Sequence, residues 1–293
     1  MKLRHSVFDV ALRCADVDIC FCLCYNRKKR GDPMKDFEVI DFHTHPFRRD
    51  ADNICSHKEC FPMSAETTLR LMDDIGVDVI CGSVIHKIEQ GMDPWEEICD
   101  MNAEALALKE LYGERYVPGF HVHPDSVKES CEEIERMHQR GVDLIGELVP
   151  YSHGWRDYSC KGFSEILDLC AQYGTVVSFH SMGEDEMDAM VKAHPNVTFV
   201  AAHPGEYREF MRHMERMSYS DNYYVDLSGY GIFRHGMLKH AVNRYGAERF
   251  LFGSDYPTCN MGMYLGGVLY DTLLTDAEKE LIFSKNAKRL LKL

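Results

Sequence analysis

No pair of the chain's 12 cysteines is spaced Cys-x-x-Cys, so neither a zinc ribbon nor a thioredoxin-like motif has a basis. No apolar run reaches the roughly 18 residues that a membrane span needs. GxGxxG, the P-loop and the GxSxG elbow are all missing, which leaves dinucleotide binding, P-loop chemistry and serine hydrolysis without a motif. Positive charge is scarce: 33 Lys plus Arg stand against 47 Asp plus Glu, for a net charge of −14. That balance opposes a non-specific hold on nucleic acid or an anionic membrane surface. A small-molecule substrate is the expected partner, and a homo-oligomer is compatible with the composition. A bound divalent ion would reverse the local potential where such a substrate sits.

The cysteines that are present read as reduced thiols. A chain of 293 residues, 45% of them hydrophobic, can build a core without the disulfides that small secreted domains need. Cys81 in VDVICGSVI and Cys170 in ILDLCAQY lie in apolar runs, where a thiol behaves as a small hydrophobe. A cytoplasmic protein is therefore expected. The first 33 residues hold an apolar piece from Val17 to Tyr25, but Asp16 and Asp18 interrupt its start and the basic run Arg27 to Arg30 follows it, the wrong charge order for export. Residues 1–33 are expected to be an extension from an upstream start codon or an N-terminal appendage, with the functional domain over 34–293.

From Glu38 onward, β-rich apolar runs alternate with segments of helical period, the pattern of βα units and a parallel sheet. The runs are EVIDFHTH (38–45), VDVICGSVI (77–85), YVPGFHVH (116–123), DLIGELV (143–149), TVVSFH (175–180), VTFVAAH (197–203), YYVDLSG (223–229) and RFLFGSD (249–255). Ser64 with Glu66 and Thr67 predicts a helix start, and Gly76, Gly141 and Gly174 predict helix ends. Eight strand-then-helix repeats, about 25 to 40 residues apart, predict a single (β/α)8 TIM barrel.

Metal-binding residue types recur at the C-terminal ends of these runs, the face of a parallel barrel where active sites are built. His43 and His45 close the first run as HTH and, two residues apart on a strand, point to one side. Glu147 ends the fourth run, His180 the fifth, His203 the sixth and Asp255 the eighth. Any one of them alone is most simply a strand-end polar group satisfied by backbone; the six together predict an open site for zinc or a similar divalent ion, as one ion or two. His121 and His123 repeat the HxH pattern, but a substrate contact or a structural role is expected for them. Tyr151, His153, Trp155 and Arg156 follow the fourth strand and are candidates for a substrate pocket. Cys55, His57 and Cys60 lie in the long first loop, read as a rim.

These residues carry a resemblance. The HxH after the first strand, the later single histidines, FGSDYP, the DLSG run at Asp226–Gly229 and the closing NAKRLLKL resemble the amidohydrolase superfamily and, within it, the amidohydrolase-2 group over about residues 38–293. The resemblance implies metal ligation by His43, His45, His180 and Asp255. It makes His203 a ligand of a second ion or an acid–base group. Glu147 departs from the one-metal pattern of many group members and stands where the TatD-type branch places a bridging carboxylate. The leading expectation is hydrolysis of an amide, ester or lactone, the ion acidifying a water while Asp255 accepts and then delivers its proton. The alternative is non-oxidative decarboxylation, as in the group's decarboxylases, with His203 supplying the proton. A TatD-type phosphodiesterase comes third. A bridging Glu147 favours hydrolysis, and a Glu147 remote from a single ion favours decarboxylation.

Overall fold

Each of the eight β-rich runs contains a strand. They are β1 (Ile40–Asp41), β2 (Val79–Ser83), β3 (Tyr116–Gly119), β4 (Leu144–Leu148), β5 (Val176–His180), β6 (Thr198–Ala202), β7 (Tyr223–Asp226) and β8 (Phe250–Leu251). The computed structural model describes residues 37–52, 54–55, 63–231 and 234–293, and all of these elements fall within the compact unit Glu38–Leu293. The expected extension over residues 1–33 lies outside the described residues.

Every ladder is parallel, β1-β2-β3 forming one sheet and β4 through β8 a second. Backbone hydrogen bonds cross both seams between the sheets. Phe120 N donates to Leu144 O at 3.0 Å and Gly146 N to Phe120 O at 2.8 Å, beside a parallel bridge between Phe120 and Ile145. At the other seam Phe42 N donates to Phe252 O and Asp255 N to His43 O, both at 2.8 Å, and Thr44 bridges Tyr256. The ring is the expected (β/α)8 barrel.

Helices α1 (Ala65–Ile75), α2 (Pro94–Tyr112), α3 (Val127–His138), α4 (Lys161–Tyr173), α5 (Glu184–Ala193), α6 (Tyr207–Tyr219), α7 (Met237–Tyr245) and α8 (Met261–Leu269) each follow a strand. The ends of α1 obey the local signals. Ser64 caps α1 in a reciprocal box with Thr67, and Gly76 ends it at φ +83, a left-handed conformation that glycine adopts without penalty. After α8 come α9 (Asp276–Glu280), a π-turn over Leu281–Lys285 and α10 (Asn286–Leu291).

Ile40, Phe42, Cys81, Leu144, Val176, Val200, Tyr224 and Leu251 form one buried cluster with Ala287, and Val117, Leu290 and Leu291 pack against it. All eight strands and the last helix thus share a core, to which each large apolar side chain contributes about 1.5–3 kcal/mol on burial. Asn286 fastens α10 to the barrel: its amide donates to Ala247 O and Phe250 O, both at 2.8 Å. Cys81 and Cys170 are fully buried thiols. Among the described residues no helix is long and apolar enough to cross a membrane.

Candidate metal centre

The HTH segment runs just past β1, where alternation sends Thr44 one way and its two neighbours the other. Thr44 is tied to β2, its N–H and its hydroxyl both donating to Cys81 O at 2.9 Å. Gly82 makes this approach feasible, since a Cβ there would lie 1.9 Å from Thr44 O. His43 and His45 are left facing the centre, both buried.

Their Nε2 atoms stand 3.2 Å apart. Glu147 Oε2 lies 3.4 Å from His43 Nε2 and 3.3 Å from His45 Nε2, and Asp255 Oδ1 lies 3.8 and 3.5 Å from the same two nitrogens. The other carboxylate oxygen of Glu147 serves a second pair, 2.8 Å from His180 Nδ1 and 3.3 Å from His203 Nε2. All six residues read from the sequence are therefore brought together, with Glu147 at the junction of two ligand groups, His43–His45–Glu147 and Glu147–His180–His203.

Hydrogen bonding behind the rings tests whether this set fits a cation. His45 Nδ1 is 3.1 Å from Ser83 O; a carbonyl only accepts, so Nδ1 carries the hydrogen and Nε2 of the neutral ring presents a lone pair. His43 Nδ1 donates likewise to Asp226 Oδ2 at 2.9 Å. With both rings neutral, two imidazole lone pairs and a carboxylate oxygen would converge within 3.4 Å, an arrangement that needs a positive charge, which a proton on His43 or a bound ion would supply. Outer partners that fix the tautomer of each ring are what metal-binding histidines require, so the donor set fits a divalent ion.

The electrostatics agree. Burial favours the neutral acid of Glu147, yet His43 and hydrogen bonds from His180 and His203 hold its carboxyl well below the usual range. Burial works against charge on His43, but Asp226 and Glu147 raise it well above an ordinary imidazole. For His203 burial also opposes charge, and its hydrogen bond with Glu147 outweighs this and raises it. The centre thus attracts cations even before an ion is considered.

Strain gathers here too. His203 and Asp255 hold φ of +66 and +64, values that a non-glycine residue occupies at a cost of about 1–3 kcal/mol when its surroundings enforce them. Gly229 makes room for the His203 ring, since a Cβ at its φ of +63 would meet Nδ1 at 2.2 Å.

Other sequence candidates divide. His121 Nε2 donates to Val84 O at 2.7 Å and His123 Nε2 to His153 O at 3.0 Å. Burial holds His121 down to about 4, and both rings spend Nε2 on a backbone carbonyl. His153 and Trp155 are buried, whereas Tyr151 lines a cavity of about 340 Å³ over the centre together with Ile54, Ile85, Lys87, Val149 and Thr258; Arg156 is exposed and does not line it. Cys55 lies among the described residues, and His57 and Cys60 fall outside them. Asp226 and Ser228 enter the sequence reading only through the DLSG run, with no place in the site, and Asp41 only as part of the first apolar run. The first two lie two residues apart, at the end of β7 and just past it, the same spacing as the HTH pair, which was the available signal. Burial pushes the Asp41 carboxyl up to about 7 despite hydrogen bonds from Ser254 and His43.

A family model described as "Amidohydrolase" matches residues 40–293. No functionally curated protein matches the chain. Among solved structures it is similar to 2,6-dihydroxybenzoate decarboxylase from Rhizobium (17% identity, TM-score 0.68, covering 87% of this chain and 99% of that one). It also resembles 5-carboxyvanillate decarboxylase from Novosphingobium aromaticivorans complexed with manganese and 4-hydroxy-3-methoxy-5-nitrobenzoic acid (15%, 0.67, 88% and 96%). A third is a dihydroxybenzoic acid decarboxylase from Polaromonas with bound manganese and the inhibitor 2-nitroresorcinol (14%, 0.67, 88% and 97%). At such identities the likeness is one of fold.

Proposed function

Because the chain belongs to the amidohydrolase family over residues 40–293, we propose that it is a divalent-metal-dependent hydrolase of an amide, ester or lactone bond in a small molecule. The observation that carries this reading is Glu147, whose two oxygens each face a different pair of imidazoles. His43, His45, Asp255 and Glu147 Oε2 would hold one ion; His180, His203 and Glu147 Oε1 would hold a second. When bound, the metal supplies a Lewis acid that polarises a carbonyl and acidifies a water. Imidazole and carboxylate ligands suit zinc and manganese alike.

The chain's own residues supply the rest. Asp255 Oδ1 faces His43 and His45, so its carboxylate is placed to take a proton from the attacking water and return it to the leaving group. Glu147 and Asp255 together bring two negative charges, which two divalent ions would exceed, leaving the centre attractive to a carbonyl oxygen. Apolar Ile54, Ile85 and Val149 on the cavity wall would exclude water from the substrate's body, and Lys87 would favour a substrate carrying negative charge.

A second reading, non-oxidative decarboxylation, is favoured by the solved relatives, three of which are decarboxylases of aromatic acids. These comparisons fit it better than they fit hydrolysis. In it His203 protonates the ring carbon as carbon dioxide leaves. Hydrolysis is preferred because relatives at 14–17% identity transfer the fold, whereas Glu147 is this chain's own chemistry. Elemental analysis of purified protein, followed by panels of lactones, esters and amides and of aryl carboxylic acids, separates the two. Two ions per chain and carbonyl hydrolysis are expected; one ion with release of carbon dioxide overturns the hydrolytic reading.

A further inference from the structure

Ser228 Oγ lies 3.0 Å from His43 Nδ1 and 3.0 Å from His203 Nδ1, so one hydroxyl touches the outer nitrogens of a ring from each ligand group. It is fully buried. A third contact joins Oγ to Asp226 Oδ1, which also accepts the Ser228 N–H at 3.0 Å.

Counting hydrogens fixes the direction of each bond. The Asp226 carboxylate accepts only, so the His43 Nδ1 hydrogen belongs to the 2.9 Å contact with Asp226 Oδ2, and that nitrogen has no lone pair to offer Ser228. The single Ser228 hydroxyl hydrogen must go to Asp226 Oδ1, because otherwise two oxygens would meet lone pair to lone pair. Ser228 Oγ therefore presents only lone pairs to His203 Nδ1, and that nitrogen must be the donor. Gly229 completes the fit, since any Cβ there would occupy the ring edge that now rests on Ser228.

We infer that Ser228 is a positioning residue that holds a ring hydrogen of His203 on Nδ1, so that the hydrogen which Nε2 gives to Glu147 Oε1 at 3.3 Å is the one an ion would replace. Through it Asp226 orients one histidine of each ligand group, a link between the two halves that the HxH pattern does not contain. The inference rests on the metal reading only for its consequence, that Nε2 of a neutral ring is offered to an ion.

Two-bond proton–nitrogen correlation spectra of full-length, zinc-loaded protein labelled at histidine nitrogens test it, with zinc as a diamagnetic probe. In the wild type the His203 hydrogen should sit on Nδ1 and exchange slowly. In Ser228→Ala that resonance should be lost while the His43 Nδ1 hydrogen, still held by Asp226, persists; Ser228→Thr, which keeps the hydroxyl, should restore it. Zinc affinity by chelator competition should fall about 10–100-fold in Ser228→Ala, the usual effect of removing an outer partner of a ligand. A wild-type His203 Nδ1 that carries no hydrogen, a His203 resonance unchanged in Ser228→Ala, or an unchanged affinity would each overturn the assignment. If the wild type takes up no zinc, the proposed function fails, while the position of the ring hydrogen is still read from the same spectra and decides the Ser228 assignment by itself.

Discussion

Asp255 can be replaced by Asn with almost no change of shape, and this makes it the residue at which binding and proton transfer come apart. An amide still offers an oxygen toward His43 and His45 but cannot take a proton. Asp255→Asn is expected to retain metal and lose activity by at least about 10²-fold, the scale of lost general acid–base catalysis; near wild-type turnover per bound ion would remove Asp255 from proton transfer. His43 sets the response to pH. A ligand imidazole must shed its proton to bind metal, and His43 holds its proton well above the ordinary 6.5 because Asp226 and Glu147 favour the charged ring. Proton and ion compete for one nitrogen. Metal affinity should therefore weaken as pH falls through the range above 6.5, with proton release on binding, and titration calorimetry in buffers of different ionisation enthalpy would measure both. Affinity independent of pH would mean that His43 is not a ligand.

At the scale of elements, the closing NAKRLLKL segment is the least obvious part of the barrel, for it follows the last strand and supplies no ligand. Asn286 explains its place. Its amide satisfies two carbonyls at the start of β8, and leaving buried carbonyls without partners costs about 1–3 kcal/mol. Asn286→Ala should lower Tm by several degrees without lowering metal content at room temperature; an unchanged Tm would show that α10 is held by its apolar contacts alone. The strands were legible because period-2 apolar runs bounded by helix signals leave little choice of phase. Their ends were not. The first run was read to His45 and the eighth to Asp255, yet ladder pairing stops at Asp41 and Leu251. Beyond those points the backbone closes the seam by single bonds and bridges while the side chains turn to the centre, and the positive φ of His203 and Asp255 has no signature in residue type. The six converging side chains could be read because each lies at or near the C-terminal end of a run. Asp226 and Ser228 could not be assigned roles, because a group that acts through another residue shows itself only when their distances are known.

Over the whole molecule, all described strands and all six candidate ligands come after Phe37. Removal of residues 1–33 is accordingly expected to leave both metal content and Tm unchanged, and a lowered Tm by calorimetry would show that the segment packs on the barrel. The two seams carry a further consequence. His43 and His45 follow β1 in the three-stranded sheet, whereas Glu147, His180 and His203 belong to strands, or strand ends, of the five-stranded one. An ion held by both sets would act as a clasp on a ring whose sheets meet through only a few bonds, and any fluctuation that parts the seams would first have to release it. Hydrogen exchange would register this as local stability. On metal loading the amides of Phe42, His45, Phe120 and Gly146, which make the seam bonds, should exchange more slowly, by up to about 100-fold at a hundred times Kd, while amides between β5 and β6 keep their rates. Equal protection everywhere would mean that the barrel opens only by unfolding as one piece, whereas a gain confined to the seams would make the metal centre the lock on the slowest breathing motion of the fold.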